Sequence, residues 1–292
     1  MTVSEKSNVE SGTLFVVATP IGNLEDITLR AVRILGEVDF VASEDTRHTR
    51  KLLSHLSLSK PLISYYKDKE VSRADDILKK LLAGENGALV SDAGTPAVSD
   101  PGAILVSKCF DHDISVIPIP GPSSLTAALS VSGFAQNSFV FLGFLPAQQG
   151  KRCKMLTAHA QDKEFIVFFE TAKRIRKTLA DCHDIFGDRQ MVLAREITKI
   201  YEELLRGPIS EVLEKLNSRT EVKGECVVLV SAASGSQNVE IDNLDELLRW
   251  YRDKEGSSLK DAVQKVSSDL NISRSKTYKS ALRIWHEDGK SE

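Results

Sequence analysis

Along the first half of the chain, apolar runs stop abruptly in Gly/Pro loops and restart with helical periodicity. The run Leu14 to Ala18 ends in Thr19-Pro20-Ile21-Gly22-Asn23. Ala88 to Val90 ends in a long loop of small residues, Ser91-Asp92-Ala93-Gly94-Thr95-Pro96 through Ser99-Asp100-Pro101-Gly102. Ile114 to Ile119 ends in Pro120-Gly121-Pro122-Ser123-Ser124. Three such strand-loop-helix units predict an open α/β sheet whose loops gather at one edge, where Gly and Pro let the backbone approach a ligand closely. Helices are predicted over 28–36, 46–56, 72–83, 101–111 and 123–132. Pro101 suits a first helical position, with Ser99 or Asp100 as its cap.

A second α/β unit is predicted from strands at 139–144, 165–169, 191–194 and 226–230 and helices at 151–160, 175–186 and 209–218. Periodicity breaks at 133–137, the expected hinge, and again in the Ser/Gly/Asn-rich stretch 232–238. An all-helical piece follows, with an apolar-periodic helix at 259–270, a turn at Asn271-Ile272-Ser273 capped by Ser273, and a basic helix at 274–285. The expected domains are therefore 12–133, 138–234 and 240–292. The last has the outline of a helix-turn-helix, or of a small packing domain with a solvated basic face.

Composition adds exclusions. The chain has 292 residues, 41% hydrophobic and 27% charged, as in an ordinary globular protein. No apolar run approaches the roughly 20 residues that span a bilayer, and residues 1–11 are polar, so a cytoplasmic protein without a membrane partner is expected. Cys109, Cys153, Cys182 and Cys226 lack metal-ligand spacing and read as reduced, mostly buried thiols. The dispersed histidines suggest no metal, and His48 and His55 are expected at the surface.

The net charge is only −3, against indiscriminate coating of nucleic acid. Two segments depart from that average. Eight Lys or Arg residues face three acids between Gln148 and Lys177, among them Lys151, Arg152, Lys154, Lys173 and Arg174. The segment Ile272 to Trp285 holds Arg274, Lys276, Lys279 and Arg283 without an acid. Both are candidate phosphate-facing patches.

The loops carry neither G-x-G-x-x-G nor G-x-x-x-x-G-K-[ST], so no dinucleotide or P-loop triphosphate is indicated. Asp92 and Asp100 would repel phosphate but could accept hydrogen bonds from a ribose or an ammonium group, or sit near a cation. A positively charged nucleoside such as S-adenosyl-L-methionine meets that demand.

The segments Thr19 to Leu24 with Asp26-Ile27-Thr28, Glu44-Asp45-Thr46-Arg47, Val90 to Pro96 with Ser99 to Gly102, and Pro120 to Ser123 together resemble the RsmI family. So do Phe141-Leu142-Gly143-Phe144-Leu145-Pro146, Arg195 to Lys199 with Glu202, and Lys223-Gly224-Glu225. That family comprises ribosomal RNA small subunit 2'-O-ribose cytidine methyltransferases of the tetrapyrrole methylase fold. The resemblance implies two α/β domains with S-adenosyl-L-methionine in the cleft between them, lined by Pro20, Ile21, Gly22, Asp92, Ala93, Gly94, Asp100, Gly121, Pro122, Ser123 and Ser124. It further implies a cytidine 2'-hydroxyl in the decoding region of 16S ribosomal RNA as acceptor, within the small ribosomal subunit, and a homodimer. Two segments depart from the pattern. Where relatives show Tyr-His-Glu-His-Asn and Tyr-Glu-Ser-Pro-His-Arg, this chain has Tyr66-Lys67-Asp68-Lys69-Glu70 and Phe169-Glu170-Thr171-Ala172-Lys173-Arg174, exchanging His for Lys.

Methyl transfer to a hydroxyl needs alignment and removal of a proton. Asp45, Asp100, Glu196 and Lys199 are candidates for that work. Each has a structural alternative: Asp100 as helix cap, Asp45 paired with Arg47, and Glu196 with Lys199 as an ion pair. RNA contacts are expected from Arg47, Lys151, Arg152, Lys154, Lys173 and Arg174, and from Arg274, Lys276 and Lys279. A small tetrapyrrole is the alternative acceptor, and a non-catalytic nucleic-acid regulator the alternative class.

Overall fold

The computed structural model describes residues 12–134, 138–233, 241–253, 256–269 and 273–286. The polar amino-terminal segment, most of the expected hinge and linker, and two residues of the expected turn, Asn271 and Ile272, lie outside the described residues. Two compact units are present, divided after Ala233.

The first unit contains two five-stranded sheets. In the first, β1 (Leu14–Val17), β2 (Phe40–Ser43), β3 (Leu62–Ser64), β4 (Gly87–Val90) and β5 (Val116–Ile119) are all parallel, in the order β3-β2-β4-β1-β5. β2 and β4 are buried along their whole length, which is why they read as continuous apolar runs rather than alternation.

Helices α1 (Leu29–Glu37) and α2 (Thr46–His55) cover one face, where Ala31, Leu35 and Leu53 pack on Val17, Val41 and Val90. Helices α3 (Glu70–Leu82) and α4 (Ala103–Asp111) cover the other, where Ile77, Leu81 and Leu105 pack on Leu14, Ala42 and Leu89. The chain thus leaves β1 toward one face and β4 toward the opposite one. Adjacent strands whose connections diverge open a crevice at their carboxyl ends, and the β1 and β4 loops bound it.

Thr28 caps α1 by accepting from the Ala31 amide. The cap expected for α4 is corrected. The helix begins at Ala103 behind Gly102, so neither Ser99 nor Asp100 caps it and Pro101 lies outside it. The Gly102 amide is instead satisfied by the Glu70 side chain at 2.9 Å.

The second sheet is mixed, in the order β6-β7-β10-β8-β9. Its strands are β6 (Phe139–Phe144), β7 (Phe165–Thr171), β8 (Gln190–Arg195), β9 (Glu203–Pro208) and β10 (Glu225–Val230). α6 (Gln149–Ala158), α7 (Ala172–Phe186) and α8 (Ile209–Asn217) bury Leu156, Ile175, Leu179 and Val212 against one face. The opposite face, with Phe165, Val167, Val192 and Val227, receives Ala128 of α5 (Ser124–Ser132). Although α5 precedes the expected hinge, its packing belongs to the second sheet. β9 went unread in the sequence because an edge strand ending in Gly207-Pro208 has no buried apolar period.

The second unit consists of α9 (Ile241–Asp253), α10 (Leu259–Asp269) and α11 (Arg274–His286) around Leu244, Leu248, Val266, Ala281 and Ile284. Ser273 caps α11 as expected, accepting from the Lys276 amide at 3.3 Å. Among the described residues no helix is long and apolar enough to cross a membrane. The four cysteines are free thiols, three of them buried. His48 and His55 are exposed.

Candidate active site

The β1 and β4 loops are tied together where they leave the sheet. Thr19 and Gly94 exchange backbone hydrogen bonds at 2.9 and 3.0 Å, and the Thr19 hydroxyl donates to the Ser91 carbonyl at 3.1 Å. Beyond this clasp lies a cavity of about 280 Å³, floored by Ile21, Asp92, Ala93, Gly94 and Asp100 and closed by residues of the second sheet. That volume sits at the low end of ligand pockets, which run from about 300 to 1,000 Å³.

Of the residues expected to hold the cofactor, Ile21, Asp92, Ala93, Gly94, Asp100, Ser123 and Ser124 line the cavity, whereas Pro20, Gly22, Gly121 and Pro122 do not. Gly22 is required by close approach. A Cβ at this position would run into the side chains of Lys199 and Thr198, so the β1 loop and the 196–199 loop meet there without a side chain between them. Pro122 offers its carbonyl to the Thr95 hydroxyl at 3.4 Å.

Four carboxylates surround the first-sheet side. Asp45 caps α2 through the Arg47 amide at 2.8 Å and is gripped by the Arg47 guanidinium at 2.7–3.2 Å. That grip, with the amide bond behind it, holds its carboxyl well below the ordinary carboxylate range. Asp45 does not line the cavity. Asp92 accepts from the Asp45 amide at 3.0 Å. Glu44, which the sequence reading did not single out, lines the cavity and is pushed up by burial and then by Asp100, Asp92 and Asp45. Asp100 is likewise pushed up by burial and by Asp92 and Glu225, only partly offset by Ser91.

On the other side, Glu196 and Thr198 hold positive φ angles of 53° and 68°, a conformation that costs about 1–3 kcal/mol each and tends to persist at functional sites. The turn places Lys199 2.7 Å from Glu196 and 3.2 Å from Glu225. Burial opposes both charges, yet the pairing prevails: Glu196 stays below and Lys199 above its usual range. The Glu196–Lys199 ion pair and the Asp45–Arg47 pair weighed in the sequence are therefore both present. The capping role considered for Asp100 is not.

Asp45, His48 and Asp92 offer ligand atoms within 4.8 Å of one another, a grouping hidden in the sequence by the 43 positions between His48 and Asp92. Both Asp45 oxygens already serve Arg47, so a cation would have to displace that pair. Phe144, Phe169, Glu170 and Glu225 complete the wall. Phe144 and Glu225 stood inside quoted motifs, but nothing in their residue type marked them as lining.

The expected RNA-facing residues divide. Lys151, Lys154 and Lys173 are exposed. Arg47 is 82% exposed while chelated by Asp45. Arg152 requires correction. It is 4% exposed, 2.6 Å from Asp181, and donates to the Pro146 and Ala147 carbonyls, so it is a strut between α6 and α7 with no face for phosphate. Arg174 is also committed, to Glu170 at 3.1 Å and to the Leu145 carbonyl at 2.7 Å. In the helical unit Arg274, Lys276 and Lys279 are exposed, and Arg283 pairs with Asp245.

Residues 13–213 match the family of Tetrapyrrole (Corrin/Porphyrin) Methylases. The chain belongs to the tetrapyrrole methylase family. Within that family it groups with proteins named ribosomal RNA small subunit methyltransferase I, the RsmI proteins. It is 39% identical to the one from Streptococcus pyogenes serotype M1 over 94% of this chain and 96% of the relative. It is 40% identical to that of a Synechocystis strain over 94% and 98%, and 45% identical to that of Xylella fastidiosa over 79% and 85%. Among solved structures this tetrapyrrole methylase is similar to the methyltransferase CobJ, with a TM-score of 0.59 at 17% identity, covering 77% of this chain and 95% of that one. The uroporphyrin-III C-methyltransferase of Thermus thermophilus, solved with S-adenosylhomocysteine, matches at a TM-score of 0.55 and 20% identity over 75% of this chain and 97% of that one. Both place the chain in the same fold.

Proposed function

We propose that this chain transfers a methyl group from S-adenosyl-L-methionine to the ribose 2'-hydroxyl of a cytidine in the decoding region of 16S ribosomal RNA, within the small ribosomal subunit and as a homodimer. The observation that carries the reading is the relatives' name, ribosomal RNA small subunit methyltransferase, at 39–45% identity, joined to a cavity in which Glu44, Asp92 and Asp100 gather on one side. Those carboxylates fit the donor. Glu44 and Asp100 are held up by burial and by neighbouring carboxylates, and a sulfonium or ammonium beside them relieves both. Ile21, Ala93 and Val98 supply apolar contact for a base.

When bound, S-adenosylmethionine supplies an electrophilic methyl carbon. The chain's own residues then have two tasks, alignment and proton acceptance, and the four candidates divide between them. Asp45, capped onto α2 and paired with Arg47, is a poor base. Lys199, whose proton is stabilised by Glu196 and Glu225, holds a cation near the acceptor oxygen rather than taking its proton. Asp100, which lines the cavity, is assigned as the proton acceptor. Phosphates of the substrate would be met by Lys151, Lys154 and Lys173 and by the basic face of α11.

Radiolabelled S-adenosylmethionine incubated with unmethylated small subunits, naked 16S RNA and a porphyrin precursor tests the acceptor. Label on a cytidine ribose is expected. Label on the macrocycle would establish the tetrapyrrole alternative, and tight cofactor binding without transfer would establish a regulator. Asp100→Asn is expected to lower kcat at least about a hundredfold with cofactor affinity kept within tenfold. Sedimentation velocity checks the dimer.

A further inference from the structure

The pairing of β6 with β7 is interrupted once. Phe139, Val140 and Phe141 pair in register with Phe165, Ile166 and Val167, but the next partner of Phe169 is Phe144 rather than residue 143. One extra residue is accommodated at Leu142-Gly143, and Gly143 takes the left-handed φ of 61° that such a bulge needs. The consequence follows from the two-residue period of a strand. Without the bulge Phe144 would share the face of Leu142, which packs into the core beneath α6 and α7. With it, Phe144 is turned to the face of Phe141 and Phe169.

There it is not buried. Phe144 is 53% exposed and lines the cavity, set edge-on to Phe169 at 5.5 Å, which is itself edge-on to Phe141 at 4.9 Å. The three rings form a buttress whose outermost member shows its surface to solvent. In the same cavity wall stands Val98 of the β4 loop, 50% exposed. Phe144 and Val98 are the two exposed large apolar side chains of that wall, and both are available to a nucleotide brought to the cavity.

We propose that Phe144, turned outward by the Gly143 bulge and buttressed by Phe169, is the platform on which the acceptor nucleobase stacks so that its ribose faces the methyl donor. This rests on the reading that the acceptor is RNA. A base drawn out of its own stack loses stacking energy that an aromatic side chain restores, and stacking tolerates any base while fixing the sugar's position. Phe144 is therefore a residue that positions substrate, and its exposed ring is the surface that meets the base.

The test measures Phe144→Ala, Phe144→Leu and Phe144→Tyr with radiolabelled S-adenosylmethionine and unmethylated small subunits, alongside cofactor affinity by calorimetry. Alanine and leucine are expected to lower kcat/KM for the subunit about 5- to 150-fold, tyrosine to retain at least a third of it, and cofactor affinity to stay within twofold in all three. A subunit kcat/KM within twofold of wild type in Phe144→Ala, or an equal fall for leucine and tyrosine, overturns the platform. A matching fall in cofactor affinity reassigns the ring to the donor and overturns it as well. Wild-type protein that labels no ribosomal RNA refutes the acceptor reading itself, a separate result visible before any variant is made.

Discussion

The carboxylate of Glu70 at the start of α3 accepts a hydrogen bond from the amide of Gly102, 32 residues later, at 2.9 Å. The same oxygen accepts from the hydroxyl of the fully buried Tyr65 at 3.1 Å. One side chain thus anchors the far end of the loop that presents Asp92 and Asp100 to the cavity. Removing it in Glu70→Ala orphans an amide and a buried hydroxyl, a loss of about 1–3 kcal/mol of stability, and loosens the loop. Glu70→Gln keeps an acceptor oxygen and should retain most of both. Chemical denaturation and cofactor calorimetry check this; wild-type stability and affinity in the alanine variant would contradict the anchor.

Asp92 stands between the two loops of the crevice, accepting from the Asp45 amide at 3.0 Å while lining the cavity. If it also accepts from the cofactor, Asp92→Ala should weaken S-adenosylmethionine binding about ten- to a hundredfold, the range for a hydrogen bond to a charged group. Asp92→Asn, which keeps the amide contact but not the charge, should fall between. Unchanged affinity in the alanine variant would remove Asp92 from the binding set.

Glu203 on β9 carries an acid-stability signature. The Arg219 guanidinium at 2.5–2.7 Å, with Arg195 at 3.0 Å, holds its carboxyl down at about 2 against an ordinary 4.5. A depressed folded-state pKa contributes stability that is complete above the unfolded value and is lost as pH falls through the folded one. The wild-type protein should therefore lose stability between about pH 4.5 and pH 2, and Glu203→Gln should be less stable at pH 7 while sloping less over that interval. Urea midpoints measured across the range decide it; parallel slopes would show that the triad is electrostatically idle.

The strand-loop-helix rhythm of residues 14–132 was legible because buried parallel strands are short, wholly apolar and punctuated by Gly and Pro. Three kinds of feature were not. Arg152 looked like a cation for RNA because its partner Asp181 lies 29 residues away, one helix further on, and only the packing of α6 on α7 joins them. The cap of α4 was misplaced because Pro101 and Asp100 satisfy local rules that the Glu70 carboxylate overrides from a distance. Phe144 carries no sign of its exposure in the sequence, since a register shift of one residue is what turns it from core to cavity. Local chemistry wrote the loops, and long-range pairing decided which of their side chains are available.

The helical unit yields a prediction in which charge can be counted. Arg274, Lys276 and Lys279 of α11 are exposed, as is Arg283, which lies against Asp245; the first three are the ones to replace. If they meet phosphates, replacing all three with glutamine removes about three released counterions, and the slope of log affinity against log salt should flatten by about 2, at roughly 0.7 per charge on single-stranded RNA. Truncation after Asn238 should flatten it at least as much. Cofactor affinity should not change in either variant, because every residue lining the cavity lies before Ala233. Filter binding of 16S RNA at several salt concentrations measures the slope. A slope equal to wild type in both variants would assign α11 to packing alone and leave phosphate contact to Lys151, Lys154 and Lys173.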